Sequence, residues 1–123
     1  MSLLVLVVED DDLLRPLTVE AVQLMGFEVT SCSCADEALR LLAKPPTPAL
    51  VITDVQMPGS MDGLALALTI AGRWPALPVI ITSGVPVITT ALPPGVKFLP
   101  KPASFEALHD LMLAALKAVD IPD

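Results

Sequence analysis

The sequence predicts an α/β fold: a doubly wound, five-stranded parallel sheet with helices on both faces. Three observations carry this. Short aliphatic runs recur five times, segments of helical period alternate with them, and most of the runs are bounded by Gly, Pro or Asp. The 123 residues, 54% hydrophobic and 17% charged, suffice for one hydrophobic core and argue against disorder. The chain therefore reads as one domain, residues 1–123, with no internal repeat or linker-like tract.

Each element follows in order. The first strand is Leu4–Val8, and four acids, Glu9 to Asp12, succeed it. Leu14, Leu17, Ala21, Leu24 and Met25 then form one stripe of a first helix, with Pro16 suited to its first turn and Gly26 to its stop. A second strand spans Val29–Cys32, and Ser33-Cys34-Ala35-Asp36 resembles a capping box before Ala38, Leu39 and Leu42. The third strand, Leu50–Thr53, runs into Asp54. Asp62 is placed to cap a third helix, "GLALALTIAG", which is apolar almost all round. Two readings of that helix stay open. It exposes small side chains, or it offers a contact face to a partner or to a second copy of the chain, as in a homodimer.

The fourth strand is Val79–Thr82. After it, "GVPVITTALPPG" holds three prolines in twelve residues, so the crossover helix expected there is shortened to a turn or two, or absent. Val96–Leu99 is the fifth strand. Phe105, Leu108, Met112, Ala115, Leu116 and Val119 stripe the last helix, with Ser104 as its N-cap. Trp74 and His109 read as packing and surface residues respectively.

Composition excludes several classes. Fourteen acids against seven Lys and Arg give a net charge of −7, which disfavours direct nucleic-acid binding and suits a metal cation or a basic protein surface. Apolar runs fall short of the roughly 18 residues of a membrane span, and the opening run lacks a basic leader. A soluble, cytoplasmic protein is expected. Cys32 and Cys34 have no second Cys or His cluster to complete a zinc site, so they read as small buried thiols.

In an open α/β sheet, ligands bind beyond the carboxyl ends of the strands. Polar residues mark four of these ends: Glu9 to Asp12, then Asp54, then Thr82-Ser83-Gly84, then Lys101. Crowded carboxylates repel unless a cation neutralises them. Donors that are all oxygen suggest a hard ion such as Mg²⁺. An acidic pocket with a hydroxyl and a lysine beside it suits a phosphoryl group.

Those same residues resemble the receiver domain of two-component response regulators along almost the whole chain. "LVLVVEDD" is similar to the family's acidic pair, "DVQMPGSMDG" to its third-strand aspartate, "PVIITSG" to its hydroxyl, and "FLPKP" to its Lys-Pro. The resemblance implies the strand order 2-1-3-4-5. It further implies Asp54 as the phosphoacceptor from the phosphohistidine of a sensor histidine kinase or histidine phosphotransfer protein. Asp10, Asp54 and the backbone carbonyl of Gln56 would hold Mg²⁺, with Glu9 acting through water. Lys101 would pair with the phosphoryl group, across a Lys101–Pro102 bond that is cis in the family. Ser83 and Phe98 would form the switch; counting from "PVIIT" puts Ser83, and not Thr82, at the family's hydroxyl position.

Departures from the pattern are the reduced fourth-crossover helix, Ala103 where an aromatic commonly follows Lys-Pro, and an apolar Val85 two residues after Ser83. The resemblance suits a single-domain regulator or the receiver of a hybrid kinase. An alternative is a haloacid-dehalogenase-like Mg²⁺-dependent phosphohydrolase using Asp10 and Asp12 of "DDD". That reading lacks a later acidic pair and a cap, and it leaves Asp54 unexplained. A third is a pseudo-receiver that folds without accepting phosphate, against which the complete acidic set stands.

Overall fold

Five aliphatic runs become five parallel strands in a computed structural model of the protein, which describes residues 3–57, 59, 61–87 and 89–119. The elements are β1 (Leu4–Val8), α1 (Leu14–Leu24), β2 (Glu28–Cys32), α2 (Ala35–Leu42), β3 (Leu50–Asp54), α3 (Gly63–Arg73), β4 (Val79–Ser83), β5 (Val96–Pro100) and α4 (Phe105–Val119). The sheet order is β2-β1-β3-β4-β5, with every neighbouring pair parallel. Each sequence-predicted strand is found, four of them extended by a residue at one end.

Alternation along the strands divides the core in two. Val5, Val7, Leu50, Ile52 and Ile80 meet Val22 of α1 and Met112 and Ala115 of α4. Leu6, Val8, Val51, Val79 and Ile81 meet Ala35, Ala38 and Leu42 of α2 and Leu66, Ala67 and Ile70 of α3. β1, β3 and β4 are covered on both faces, which is why they are aliphatic up to the polar residues that end β3 and β4. β2 is an edge strand and keeps Glu28, Thr30 and Ser31 exposed.

Three local expectations need correction. The leucine stripe of α1 does not face the core: Leu14, Leu17 and Leu24 are 42%, 61% and 74% exposed, while Val22 is fully buried with Val19 and Met25 beside it. The helix carries two overlapping apolar stripes about 100° apart, and periodicity alone cannot choose between them. The β-branched valines pack on the sheet and the leucines remain outside. Secondly, Ser33 does not cap α2. Cys34 holds the N-cap position without a side-chain bond, and only the return half of a box forms, the Ser33 N–H donating to Glu37 at 3.4 Å. Thirdly, His109, expected at the surface, is half-buried. In α3, Leu66, Ala67 and Ile70 are fully buried while Leu68 is exposed and Ala65 and Ala71 are half-buried, so both readings of its outer face stay open.

Other expectations hold. Asp62 accepts the Ala65 N–H at 2.8 Å, and Ser104 accepts that of Ala107 at 3.0 Å, so both cap their helices. Gly26, at φ 98°, closes α1 in the left-handed region. Between β4 and β5 the described residues form only a single 3₁₀ turn, Thr89–Ala91. Trp74 closes α3 and packs, half-buried, against the core. The rings of His109 and Phe105 lie side by side, with centroids 6.1 Å apart. No helix among the described residues is long and apolar enough to cross a membrane.

Candidate functional site at the carboxyl edge of the sheet

Parallel strands end together, so residues far apart in sequence meet beyond their carboxyl ends. Glu9 and Asp10 leave β1, Asp54 closes β3, and Lys101 follows β5 directly. Carboxylate oxygens of Glu9, Asp10 and Asp54 all lie within 4.8 Å of one another. The Lys101 Nζ reaches Asp54 Oδ2 at 3.1 Å and Glu9 Oε1 at 3.7 Å. Asp54 Oδ1 accepts the Gln56 N–H at 3.2 Å, so both carboxylate oxygens are oriented.

Burial pushes the Glu9 carboxyl above its ordinary value. The Asp11 N–H and the Lys101 ammonium pull it back, while Asp54 adds to the rise. Counted at formal charge, one ammonium among three carboxyl groups leaves two negative charges uncompensated. With oxygen donors throughout, that remainder fits a hard divalent cation, and neither His nor Cys belongs to the cluster.

The four consecutive acids separate cleanly. Asp11 accepts the Leu13 and Leu14 N–H groups at 2.8 and 3.1 Å, capping α1, and those bonds, Leu14's foremost, hold its carboxyl below the usual range. Asp12 is 88% exposed and pairs with Arg15 at 2.9 Å, outside the acidic cluster. The Asp10 and Asp12 pair that a phosphohydrolase would need is therefore not assembled.

Arg15 also donates to the Glu9 carbonyl at 3.0 Å and so ties the acidic loop to α1. Sequence reasoning missed this, although Arg six residues beyond Glu9 on a helix was a visible signal. It also missed Gly63. A Cβ there would collide with the Asp54 carbonyl, so α3 can seat its first turn directly on the strand end only because residue 63 is glycine. The Gly63 N–H donates to Val55 O at 2.8 Å in that seat.

Ser83 and Phe98 lie on one face of the sheet, toward α3. Ser83 is buried, its Oγ accepting the Val85 N–H at 3.1 Å, and Phe98 is half-buried against the α3-side core. Thr82 lies on the other face, in register with Asp54. It lines a cleft of about 660 Å³ together with Asp54, Lys101 and Glu9. The apolar walls of that cleft include Leu14 and Leu17 of α1 and Phe105 and Leu108 of α4. The Lys101–Pro102 bond is cis. Cys32, whose thiol burial pushes up to about 12, and half-buried Cys34 are both free.

Residues 5–113 match the response regulator receiver domain family. The chain is 39% identical over 117 residues to the DNA-binding transcriptional regulator NtrC of Salmonella typhimurium, which covers 92% of the chain and 24% of that protein. It is 37% identical over 116 residues to the response regulator protein FleR of Pseudomonas aeruginosa, covering 91% and 24%. It therefore spans about a quarter of the length of these curated relatives. The solution structure of the apo receiver domain of nitrogen regulatory protein C superposes with a TM-score of 0.82 at 34% identity, covering 94% of this chain and 95% of that one. A response regulator receiver protein from Sinorhizobium medicae gives 0.88 at 22% identity over 97% and 98%, a likeness of fold alone.

Proposed function

The chain belongs to the response regulator receiver domain family, and from that premise we propose that residues 1–123 form a phospho-accepting switch with Asp54 as the acceptor. The observation that carries this reading is the Lys101 ammonium at 3.1 Å from Asp54 Oδ2, inside a cluster of three carboxylates. An Asp54 carboxylate oxygen attacks the phosphorus of a phosphohistidine on a sensor kinase or phosphotransfer protein. The phosphorus–nitrogen bond breaks, its electron pair stays on the departing imidazole, and an acyl phosphate forms on Asp54. Lys101 pairs with a phosphoryl oxygen as the carboxylate loses its charge.

Asp10, Asp54 and the Gln56 carbonyl would hold Mg²⁺ in this reading, with Glu9 in support, and the chemistry supplied there would be charge neutralisation for the transferring phosphoryl oxygens. Ser83 breaks its local bond with the Val85 N–H to meet the new phosphate, and Phe98, on the same face, follows it inward. Slow attack by water on phosphorus returns the carboxylate and releases inorganic phosphate. The switch thus resets itself without turning over an external substrate.

Leu14 and Leu17, exposed leucines of α1, border the cleft and supply an apolar landing surface for the phosphodonor. A cytoplasmic location follows from the need to meet such a donor, and the phosphorylated form acts on a downstream protein. Incubation with Mg²⁺ and a small phosphodonor tests the reading. A labile phosphate on Asp54, absent from Asp54→Ala, is the expected result. No modification, or modification that survives the substitution, overturns it.

A further inference from the structure

The amino edge of the sheet, opposite the acidic cluster, carries a second cavity, of about 830 Å³. The chain entering β1, β3 and β4 supplies Leu3, Pro48 and Leu77 to its wall. The ends of two helices complete it, with Arg73 and Trp74 from α3 and Leu116 and Lys117 from α4. Nothing at this end of the sheet serves phosphoryl transfer to Asp54.

Most of the wall is apolar. Trp74 packs against the α3-side core and Leu116 against the α4-side core, so the protein holds both from behind. The charged residues of the wall are Arg73 and Lys117, and among the described residues no carboxylate lines it. Neither cation forms an ion pair among the described residues. In a chain with 14 acids and only seven Lys and Arg, an apolar cavity whose charges are all positive runs against the net charge of −7. A cation in the last turn of a helix complements the helix dipole. That accounts for each residue singly, and not for two of them opening onto one apolar cavity.

We propose that this cavity is a binding site for a medium-chain alkyl carboxylate. The leucines, proline and indole take the alkyl body out of water. The Arg73 guanidinium and the Lys117 ammonium pair with the anionic head. A neutral or cationic molecule with the same body forgoes that pairing. The site stands apart from the receiver reading and does not depend on it.

Trp74 is the single tryptophan and the chain has no tyrosine, so its emission reports the cavity directly. Octanoate, octanol and octylammonium are titrated into the full chain, and into Arg73→Gln and Lys117→Gln, whose exposed side chains the fold does not need. Octanoate changes the emission saturably, octanol binds more weakly, and octylammonium gives no saturation. Each substitution weakens octanoate by roughly two- to fivefold, as loss of one exposed charge pair would, and leaves octanol unchanged. No saturable response to octanoate overturns the proposal. So do octanol binding as tightly as octanoate, and Gln variants that keep the wild-type affinity. An emission change that follows chain concentration without octanoate makes a second copy the occupant and overturns it too. Labelling of Asp54 by acetyl phosphate stays at the wild-type rate in both variants, so failure here and failure of the receiver reading are separate results.

Discussion

Helices α1 and α3 are each eleven residues long, and each lies beside a strand that carries acids of the site. They divide their apolar surface in opposite ways. In α1, Val22 is fully buried, while Leu14, Leu17 and Leu24 face solvent. In α3, Gly63, Leu66, Ala67 and Ile70 are buried, and Asp62 caps the first turn. α3 acts as foundation: its N-terminal turn sits on the Asp54 carbonyl, and its core side chains fix that seat. α1 is held by few buried residues and by the Asp11 and Arg15 bonds, leaving its leucines free for another molecule. In the proposed reading, stability and recognition fall on different helices around one site.

Substitutions can break or sharpen this contrast. The largest effect is expected for Ile70→Ala, which should lose about 2–5 kcal/mol in urea denaturation because the α3 core cannot refill the space. A loss below that of Leu24→Ala on α1 would reverse the comparison. Gly63→Ala comes next, with an expected cost of about 1–3 kcal/mol from overpacking. It should also slow acetyl phosphate labelling of Asp54, since backbone must move to admit the methyl group. Asp62→Ala should cost about 1 kcal/mol through loss of the cap, read as a lowered urea midpoint at unchanged slope.

Smallest in stability is Leu17→Ala, expected within about 0.5 kcal/mol of wild type. Its effect should instead separate two donors. Labelling by acetyl phosphate stays at the wild-type rate, whereas transfer from a histidine kinase that phosphorylates the wild-type chain falls several-fold. Equal rates from both donors would remove α1 as the landing surface.

The strands were legible because buried parallel strands are aliphatic on both faces, a demand that Leu4–Val8 meets throughout and Leu50–Thr53 breaks only at Thr53, whereas the sheet order came through the resemblance to the receiver family. The acidic cluster was legible as well. Glu9, Asp10, Asp54 and Lys101 each stand at a strand end, where parallel topology forces them together. α1 was misread because Leu14, Leu17 and Leu24 and the set Val19, Val22 and Met25 are equally periodic. Only packing against β1 and β2 decides between them. The role of Gly63 depends on close approach to the Asp54 carbonyl, which a linear sequence does not display. Arg15 was legible in principle, since a cation one turn into a helix that follows four acids has obvious partners.

Among the described residues between Gly84 and Gly95 there is one short 3₁₀ turn, with the Leu92 N–H donating to the Thr89 carbonyl at 3.2 Å. Such a connection has almost no ladder of amide bonds to melt or rotate, so rearrangement at Ser83 would pass into it without a change in helicity. Far-ultraviolet circular dichroism would be blind to the switch along this route. Amide hydrogen exchange of the described residues between Gly84 and Gly95 would be the channel in which the signal is visible.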